Sequence, residues 1–353
     1  MKAAMWFGLR DVRVMDTDEP AVDTGMVKIK IEWCGLCGSD LHEFVTGPIT
    51  IPVHAPHPLT GEVAPVILGH EFSGTVVEVG DGVNELQVGD RVTVEPILSC
   101  GRCPQCKMGR YNLCCQRGFI GITGGGGGFA EYITVRSDLV YKLPVNVSFE
   151  EGAIVEPTAV ALHAVQSSDL RLGCSCAVFG VGPIGLLIIQ VARAAGVHPI
   201  IAIDLSEERL TKAGELGATQ VVNPVSHSAV EVIRDATSGQ GVDVSFEAAG
   251  SEASFRGALE CLKPHGEMVI VSLWEKHVAF DPNSLVLDER RIVSSVAYCR
   301  NYPEVLALME SGRINAQALI TKKIALEDIV EEGFNTLLAD KSHAKILVSP
   351  TTR

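Results

Sequence analysis

Residues 176–204 read Cys176-Ala-Val-Phe-Gly180-Val-Gly182-Pro183-Ile184-Gly185-Leu-Leu-Ile-Ile-Gln190-Val-Ala-Arg-Ala-Ala-Gly-Val-His-Pro-Ile200-Ile-Ala-Ile-Asp204. The apolar run Cys176–Phe179 predicts a short buried strand, and an apolar helical pattern runs from Ile184 to about Ala195. A second strand over 199–203 ends at Asp204. A Gly-x-Gly-x-x-Gly triplet alone carries little information. This one follows a strand, opens a helix and is answered by an acid 19 residues after Gly185, which is the context of a dinucleotide-binding unit. Gly180 permits the tight turn, Gly182 lets backbone approach a pyrophosphate, and Gly185 lets helix and strand pack closely. The helix N-terminus at Pro183 and Ile184 faces the phosphates. Asp204 offers acceptors to an adenosine ribose and repels a 2′-phosphate, which favours NAD over NADP. Arg209 lies close enough to weaken that preference, although a solvated Arg on a helix surface is the plainer reading.

The alternation continues downstream: strand 220–222, helix 229–237, strand 242–246, helix 251–262, strand 267–271 and a last strand over 291–296. Such alternation predicts a parallel doubly wound sheet, with ligands at the carboxyl ends of its strands. Ala248, Gly250, Val271 and Ser272 fall there. The tail, with helices near 303–311 and 326–338 and a strand at 345–348, has too few strands for a third domain and is expected to pack on the first.

Upstream, short alternating strands (27–32, 73–79, 88–94) separated by glycine turns suggest a barrel-like β domain. The chemistry lies here. Cys34-Gly-Leu-Cys37-Gly-Ser39-Asp-Leu-His42 and Gly69-His70-Glu71 supply a thiolate, imidazoles, a hydroxyl and a carboxylate. That mixture suits Zn²⁺, whose catalytic sites keep three protein ligands and an open position. Taken alone, the Cys34/Cys37 pair is ambiguous between zinc and redox roles. Cys100-x2-Cys103-x2-Cys106-x7-Cys114 is more specific, since four thiolates saturate tetrahedral zinc and make a structural site. Cys115 is adjacent and competes for the fourth place. Residues 45–66 form a long Pro/Gly/His-rich loop of the kind used as a lid or binding loop. Five glycines, 124–128, permit close backbone approach. Glu156, a carboxylate in an apolar stretch, is equally readable as a buried ion pair or a metal ligand.

A chain of 353 residues has a soft prior of two domains. Its net charge of −14 argues against nucleic-acid and anionic-membrane partners. The apolar run Ala177–Ala192 is broken by Gly and Pro and is shorter than the roughly 18 residues of a membrane span. No signal-peptide pattern opens the sequence, so a cytoplasmic location is expected. In that setting eleven cysteines favour metal binding over disulfides.

Together, Cys37-Gly-Ser-Asp-Leu-His42, Gly69-His70-Glu71, the 100–114 loop, Val155-Glu156-Pro157 and the 180–185 fingerprint resemble the zinc-containing medium-chain alcohol dehydrogenase family. The resemblance runs in order over nearly the whole chain. Gly47-Pro-Ile, His57-Pro-Leu-Thr, Gly118-Phe-Ile-Gly-Ile and Val271-Ser-Leu-Trp-Glu-Lys make it most similar to the 2,3-butanediol (acetoin) dehydrogenases within that family. The resemblance implies an α/β two-domain fold: a GroES-like β-barrel catalytic domain over 1–156, a Rossmann NAD-binding domain over 157–296, and a return to the catalytic domain over 297–353. It implies Cys37, His70 and Glu156 as catalytic zinc ligands, with Glu71 close enough to exchange with water. In the alcohol dehydrogenases a cysteine stands where Glu156 stands here, so Glu71 and Glu156 both remain candidates for the third ligand. Cys100, Cys103, Cys106 and Cys114 would hold structural zinc, and Ser39 and His42 would relay a proton. The implied reaction is NAD-dependent oxidation of a small secondary alcohol or vicinal diol, with polyol or threonine dehydrogenation as the alternative. A non-catalytic zinc or nucleotide-binding redox sensor is the reading from another class, and the retained Cys37, His70 and Glu156 argue against it. The partners implied are a diol or hydroxyketone and a second copy of the chain, as homodimer or homotetramer through the sheet edge near 267–296.

Overall fold

Met26–Gly35 is the strand on which the first unit is built. It pairs antiparallel with Glu71–Val79, with Tyr132–Arg136 and with the C-terminal strand Lys345–Ser349. These strands belong to a seven-stranded sheet. Its core holds Val27, Ile29, Ile31, Phe72, Val76, Ile133 and Val348, all at most 1% exposed. Each such side chain contributes about 1.5–3 kcal/mol through burial. Strict alternation would place Lys28 in water. It is instead buried along its stem, and its ammonium bridges Glu19 (2.9 Å) and Glu78 (3.3 Å).

The computed structural model describes residues 1–350, which divide into two units. The first comprises Met1–Glu156, Tyr302–Glu310 and the chain from Ala316. The second comprises Pro157–Asn301 and Ser311–Asn315. The boundary read from sequence put all of 297–353 with the first unit. Residues 297–301 and 311–315 lie in the second because their side chains and backbone are tied there: Asn301 Nδ2 donates to Gln166 Oε1 (2.7 Å), and the Asn315 N–H donates to Gln190 Oε1 (2.7 Å).

Two tail features differ from the sequence pattern. Ile320–Ala325 is a strand, parallel to Lys345–Ser349. Lys322 and Lys323 interrupt its apolar run and hide it. The helix expected over 326–338 is divided into a 3-10 turn, a π-helical segment Ile329–Asn335 and a short α-helix.

The five-glycine run is a turn inside the first unit. Gly124, Gly125 and Gly126 have φ of 96°, 80° and 78°, which L side chains rarely adopt. A Cβ on Gly127 would stand 2.4 Å from the Leu68 carbonyl, and one on Gly128 would stand 2.7 Å from Cys34 Sγ. The Gly128 N–H donates to the Gly69 carbonyl at 2.7 Å, so the run backs the segment that carries His70.

The second unit is a six-stranded parallel sheet in the order 220–222, 200–203, 176–179, 242–247, 262–270, 291–294. The strand order reverses between 176–179 and 242–247, the switch point of a doubly wound fold. Helix Pro183–Ala194 is buried from Gly185 to Ala192, which explains why its sequence is apolar all round. Ser206, Ser228 and Ser251 cap the next helices, each hydroxyl accepting a backbone N–H three residues on.

Candidate active site and metal centres

Cys37 is the N-cap of helix Gly38–Val45. Asp40, three residues into that helix and fully buried, accepts the Cys37 N–H at 3.0 Å. Its other oxygen lies 3.4 Å from His70 Nδ1. Glu71 opens the strand Glu71–Val79 and His70 immediately precedes it, so a helix start and a strand start converge. The Cys37 sulfur, a His70 nitrogen and a Glu71 oxygen lie within 4.8 Å of one another. Ser39 Oγ sits 3.2 Å from His70 Nε2. His42 follows one helical turn later, half-buried.

Behind Glu71 stands Lys345, from the last strand. Its Nζ donates to both Glu71 oxygens (2.8 and 2.6 Å) and to the Leu36 carbonyl (3.0 Å). Both side chains are at most 2% exposed. Gly35 leaves room for this carboxylate: a Cβ there would stand 2.2 Å from Glu71 Oε2. Burial alone would lower the Lys345 ammonium, but the charges of Glu71 and Cys37 outweigh it and hold it above its ordinary value. Burial likewise opposes the His70 imidazolium, and Asp40 and Cys37 more than offset it. Burial pushes the Cys34 thiol well up, so that residue packs as a neutral hydrophobe.

The donor set fits zinc. Sulfur, nitrogen and oxygen ligands converge, and Asp40 beside Nδ1 is the partner that orients a metal-bound imidazole. Asp40 Oδ1 and His70 Nδ1 are both buried, lie 3.4 Å apart and have no other hydrogen-bond partner among the described residues. Glu156, near the start of helix Val155–Gln166, is buried and its charge is felt at Lys345, but it lies outside the three-residue cluster.

Cys100, Cys103, Cys106 and Cys114 also converge within 4.8 Å. The Sγ of Cys106 is 3.5 Å from that of Cys103 and 4.0 Å from that of Cys100. Zinc–sulfur bonds of about 2.3 Å in a tetrahedron require sulfurs about 3.8 Å apart, so this cluster fits too. Backbone N–H groups point at the sulfurs: Cys100 and Gln116 to Cys114 (3.3 Å each), and Cys103 to Cys100 (3.4 Å). Such donors pull the Cys100 and Cys103 thiols below their ordinary value. Cys115 is exposed and outside the cluster.

In the second unit, Gly180 (φ 87°) turns the chain, and a Cβ on Gly185 would stand 2.1 Å from the Gly180 carbonyl. Pro183 is the first residue of the helix that follows, and Gly182 is its N-cap. Asp204 Oδ2 accepts the Val181 N–H at 2.8 Å and Oδ1 accepts the Ser206 N–H at 3.0 Å. Arg209 is 4.0 Å from the Asp204 carboxylate. A cavity of about 660 Å³ is lined by Gly180, Gly182, Asp204, Arg209, Ala248 and neighbours. Gly250, Val271 and Ser272 do not line it.

Residues 23–145 match the alcohol dehydrogenase GroES-like domain and residues 183–311 match the zinc-binding dehydrogenase family. Over 350 residues the chain is 51% identical to (R,R)-butanediol dehydrogenase of Bacillus subtilis, covering 99% of this chain and 100% of the relative. The chain belongs to the zinc-binding alcohol dehydrogenase family. The (R,R)-butanediol dehydrogenase of Neisseria gonorrhoeae is 40% identical, covering 99% of each chain. The crystal structure of 2R,3R-butanediol dehydrogenase from Bacillus subtilis superposes with a TM-score of 0.94 at 51% identity, again covering 99% of each chain.

For this alcohol dehydrogenase the GroES-like and Rossmann architecture expected from the sequence is the one observed. Sequence reading missed Asp40 and Lys345. Asp40 lies inside the quoted 34–42 stretch, but no spacing rule assigns it. Lys345 had a signal: a charge opening an otherwise apolar strand is costly unless paired. No described helix is long and apolar enough to cross a membrane.

Proposed function

We propose that the protein is a zinc- and NAD-dependent oxidoreductase interconverting (R,R)-2,3-butanediol and acetoin. The observation that carries this reading is the Cys37–His70–Glu71 cluster, half-buried at Cys37 and buried at His70 and Glu71, with the Ser39 hydroxyl against its imidazole. The relatives named as butanediol dehydrogenases support the choice of substrate. Cys37, His70 and a carboxylate would hold the catalytic zinc; the convergence of Glu71 with the other two supports Glu71, and Glu156 is the alternative. Cys100, Cys103, Cys106 and Cys114 would hold the structural zinc. When bound, zinc acidifies a hydroxyl and NAD supplies the hydride acceptor.

Ser39 Oγ takes the proton of the substrate hydroxyl, and His42, three residues on along the same helix, passes it to solvent. The carbinol carbon gives up its hydride, so one alcohol and one oxidised cofactor become one ketone, one reduced cofactor and one proton. Asp40 keeps the His70 ring oriented. Lys345 neutralises Glu71 so that a second anion beside the Cys37 thiolate is tolerated. Gly180, Gly182, Pro183, Ile184 and Gly185 take the pyrophosphate and Asp204 the ribose, beside Arg209; Ala248, Gly250, Val271 and Ser272 flank the rest of the cofactor. The strand Arg291–Ser294 ends the sheet and is proposed as the self-association edge, with a dimer or tetramer mass by light scattering as its check. A cytoplasmic setting belongs to the same proposal, since thiolate metal sites need reduced cysteines.

The test is turnover on the butanediol stereoisomers, acetoin, sorbitol and L-threonine, with NAD and NADP in parallel. The (R,R)-diol with NAD is expected to give the highest kcat/KM. A large preference for sorbitol or threonine would overturn the substrate, and a preference for NADP would overturn the role of Asp204.

A further inference from the structure

Glu247 ends the strand Val242–Glu247 and is fully buried. Its carboxylate is met by hydrogen-bond donors. Oε1 accepts the Ala249 N–H (3.0 Å), the Gly250 N–H (2.8 Å) and the Ser254 hydroxyl (2.7 Å). Oε2 accepts the Ser272 hydroxyl. The Glu247 carbonyl also accepts the N–H groups of Val271 (2.9 Å) and Ser272 (3.3 Å). One residue therefore ties two loops, 248–250 and 271–272, that leave adjacent strands at their carboxyl ends. Those ends are where an open α/β sheet binds its ligand. The loops are also pressed together: Gly250 has φ of 68°, and a Cβ on it would stand 2.9 Å from the Leu273 carbonyl.

A fully buried carboxylate is an expensive packing element, tolerated only while its donors stay in place. Hydrogen bonds to a charged acceptor are shorter and about twice as strong as neutral ones. An apolar residue of similar volume would fill the same space without that dependence. What the carboxylate adds is directional, fixing where two backbone N–H groups and two hydroxyls point.

We propose that Glu247 is the positioning residue of the cofactor site: its carboxylate locks loop 248–250 to loop 271–272 and presets the surface against which the dinucleotide lies. The proposal rests on the reading, made above, that these two loops face the cofactor. Glu247 itself touches neither cofactor nor substrate. Its contribution is preorganisation, because loops ordered before binding cost no ordering entropy at binding.

The test uses the zinc-loaded enzyme and NADH fluorescence titration, with hydrogen exchange of the two loops. In the wild type, NADH is expected to protect both 248–250 and 271–272. Glu247→Leu is expected to raise the NADH Kd and the KM for NAD by about tenfold or more, with Glu247→Gln in between. Zinc content and the KM for the diol stay at wild-type values, and both loops exchange faster without NADH. If Glu247→Leu does not fold, Glu247→Gln and Ser272→Ala carry the test, each expected to raise the Kd about threefold or more. Protection of both loops in the wild type with an unchanged Kd in the variants overturns the proposal and leaves the reading of the loops intact. Absence of protection in the wild type overturns the reading of the loops, and the proposal with it.

Discussion

The two candidate metal clusters of this protein are built in opposite ways. The four-cysteine cluster takes all its candidate ligands from one loop of fifteen residues, 100–114. The other takes Cys37 from a helix start, His70 and Glu71 from a strand start, and the charge that balances Glu71 from Lys345, 274 residues away. The first is a closed set that can hold a loop together but offers no vacant coordination position. The second mixes ligand types, keeps a hydroxyl and a second carboxylate at hand, and depends on the whole first unit being folded. A local cluster suits stability, and a dispersed one suits chemistry.

The largest contrast is expected from paired ligand replacements. Cys37→Ser should cut kcat/KM by on the order of a thousandfold or more while circular dichroism and four-cysteine zinc are retained, because several kcal/mol of charge stabilisation are lost. Cys103→Ser should do the converse. Its melting temperature is expected to fall by on the order of ten degrees, with the specific activity of the remaining folded enzyme nearly unchanged. If both variants lost activity and stability alike, the division of labour between the clusters would be broken.

Lys345→Met sharpens the comparison, because it strands a buried carboxylate at the dispersed site only. Removing one partner of such a pair costs about 3–5 kcal/mol, and urea unfolding should show it. Lys345→Arg is expected to recover part of the loss. A Met variant as stable as wild type would show that Glu71 does not need its counter-charge.

The smallest expected effect concerns how far the local cluster is self-contained. Glu95 is buried and accepts hydrogen bonds from Tyr111 of the four-cysteine loop and from Tyr141. Burial raises its carboxyl above the ordinary range, and the two tyrosine donors only partly offset this. A raised folded-state value stabilises the fold most below the unfolded value, and that contribution is lost as pH rises through the folded one. Wild-type stability should therefore decline relative to Glu95→Gln as pH is raised above about 4.5. Parallel urea midpoints for the two proteins from pH 4 to 7 would reveal a constant difference if the loop were indifferent to Glu95.

Much of the fold was legible because its signals are local. The glycine fingerprint at 180–185 lies between a strand and a helix as its context required, and the helices Ala229–Ala236 and Glu252–Glu260 fall where periodicity put them. The strand Ile320–Ala325 was hidden because its paired lysines break the apolar pattern that a strand would show. The C-terminal crossover residues were assigned to the wrong unit because Gln166 and Gln190, which hold them, are ordinary helix residues until the chain is folded.

The sequence by itself determined the thiolate loop, the dinucleotide unit and the identity of the residues able to bind a metal. Their spacing is short, and short spacing is fixed by backbone geometry. Only the tertiary structure decided that Glu71 joins Cys37 and His70, that Lys345 stands behind it, and that Glu247 ties two loops through one carboxylate. A buried charge chooses its partners by where burial leaves it without water, and that depends on strands brought together from distant parts of the chain.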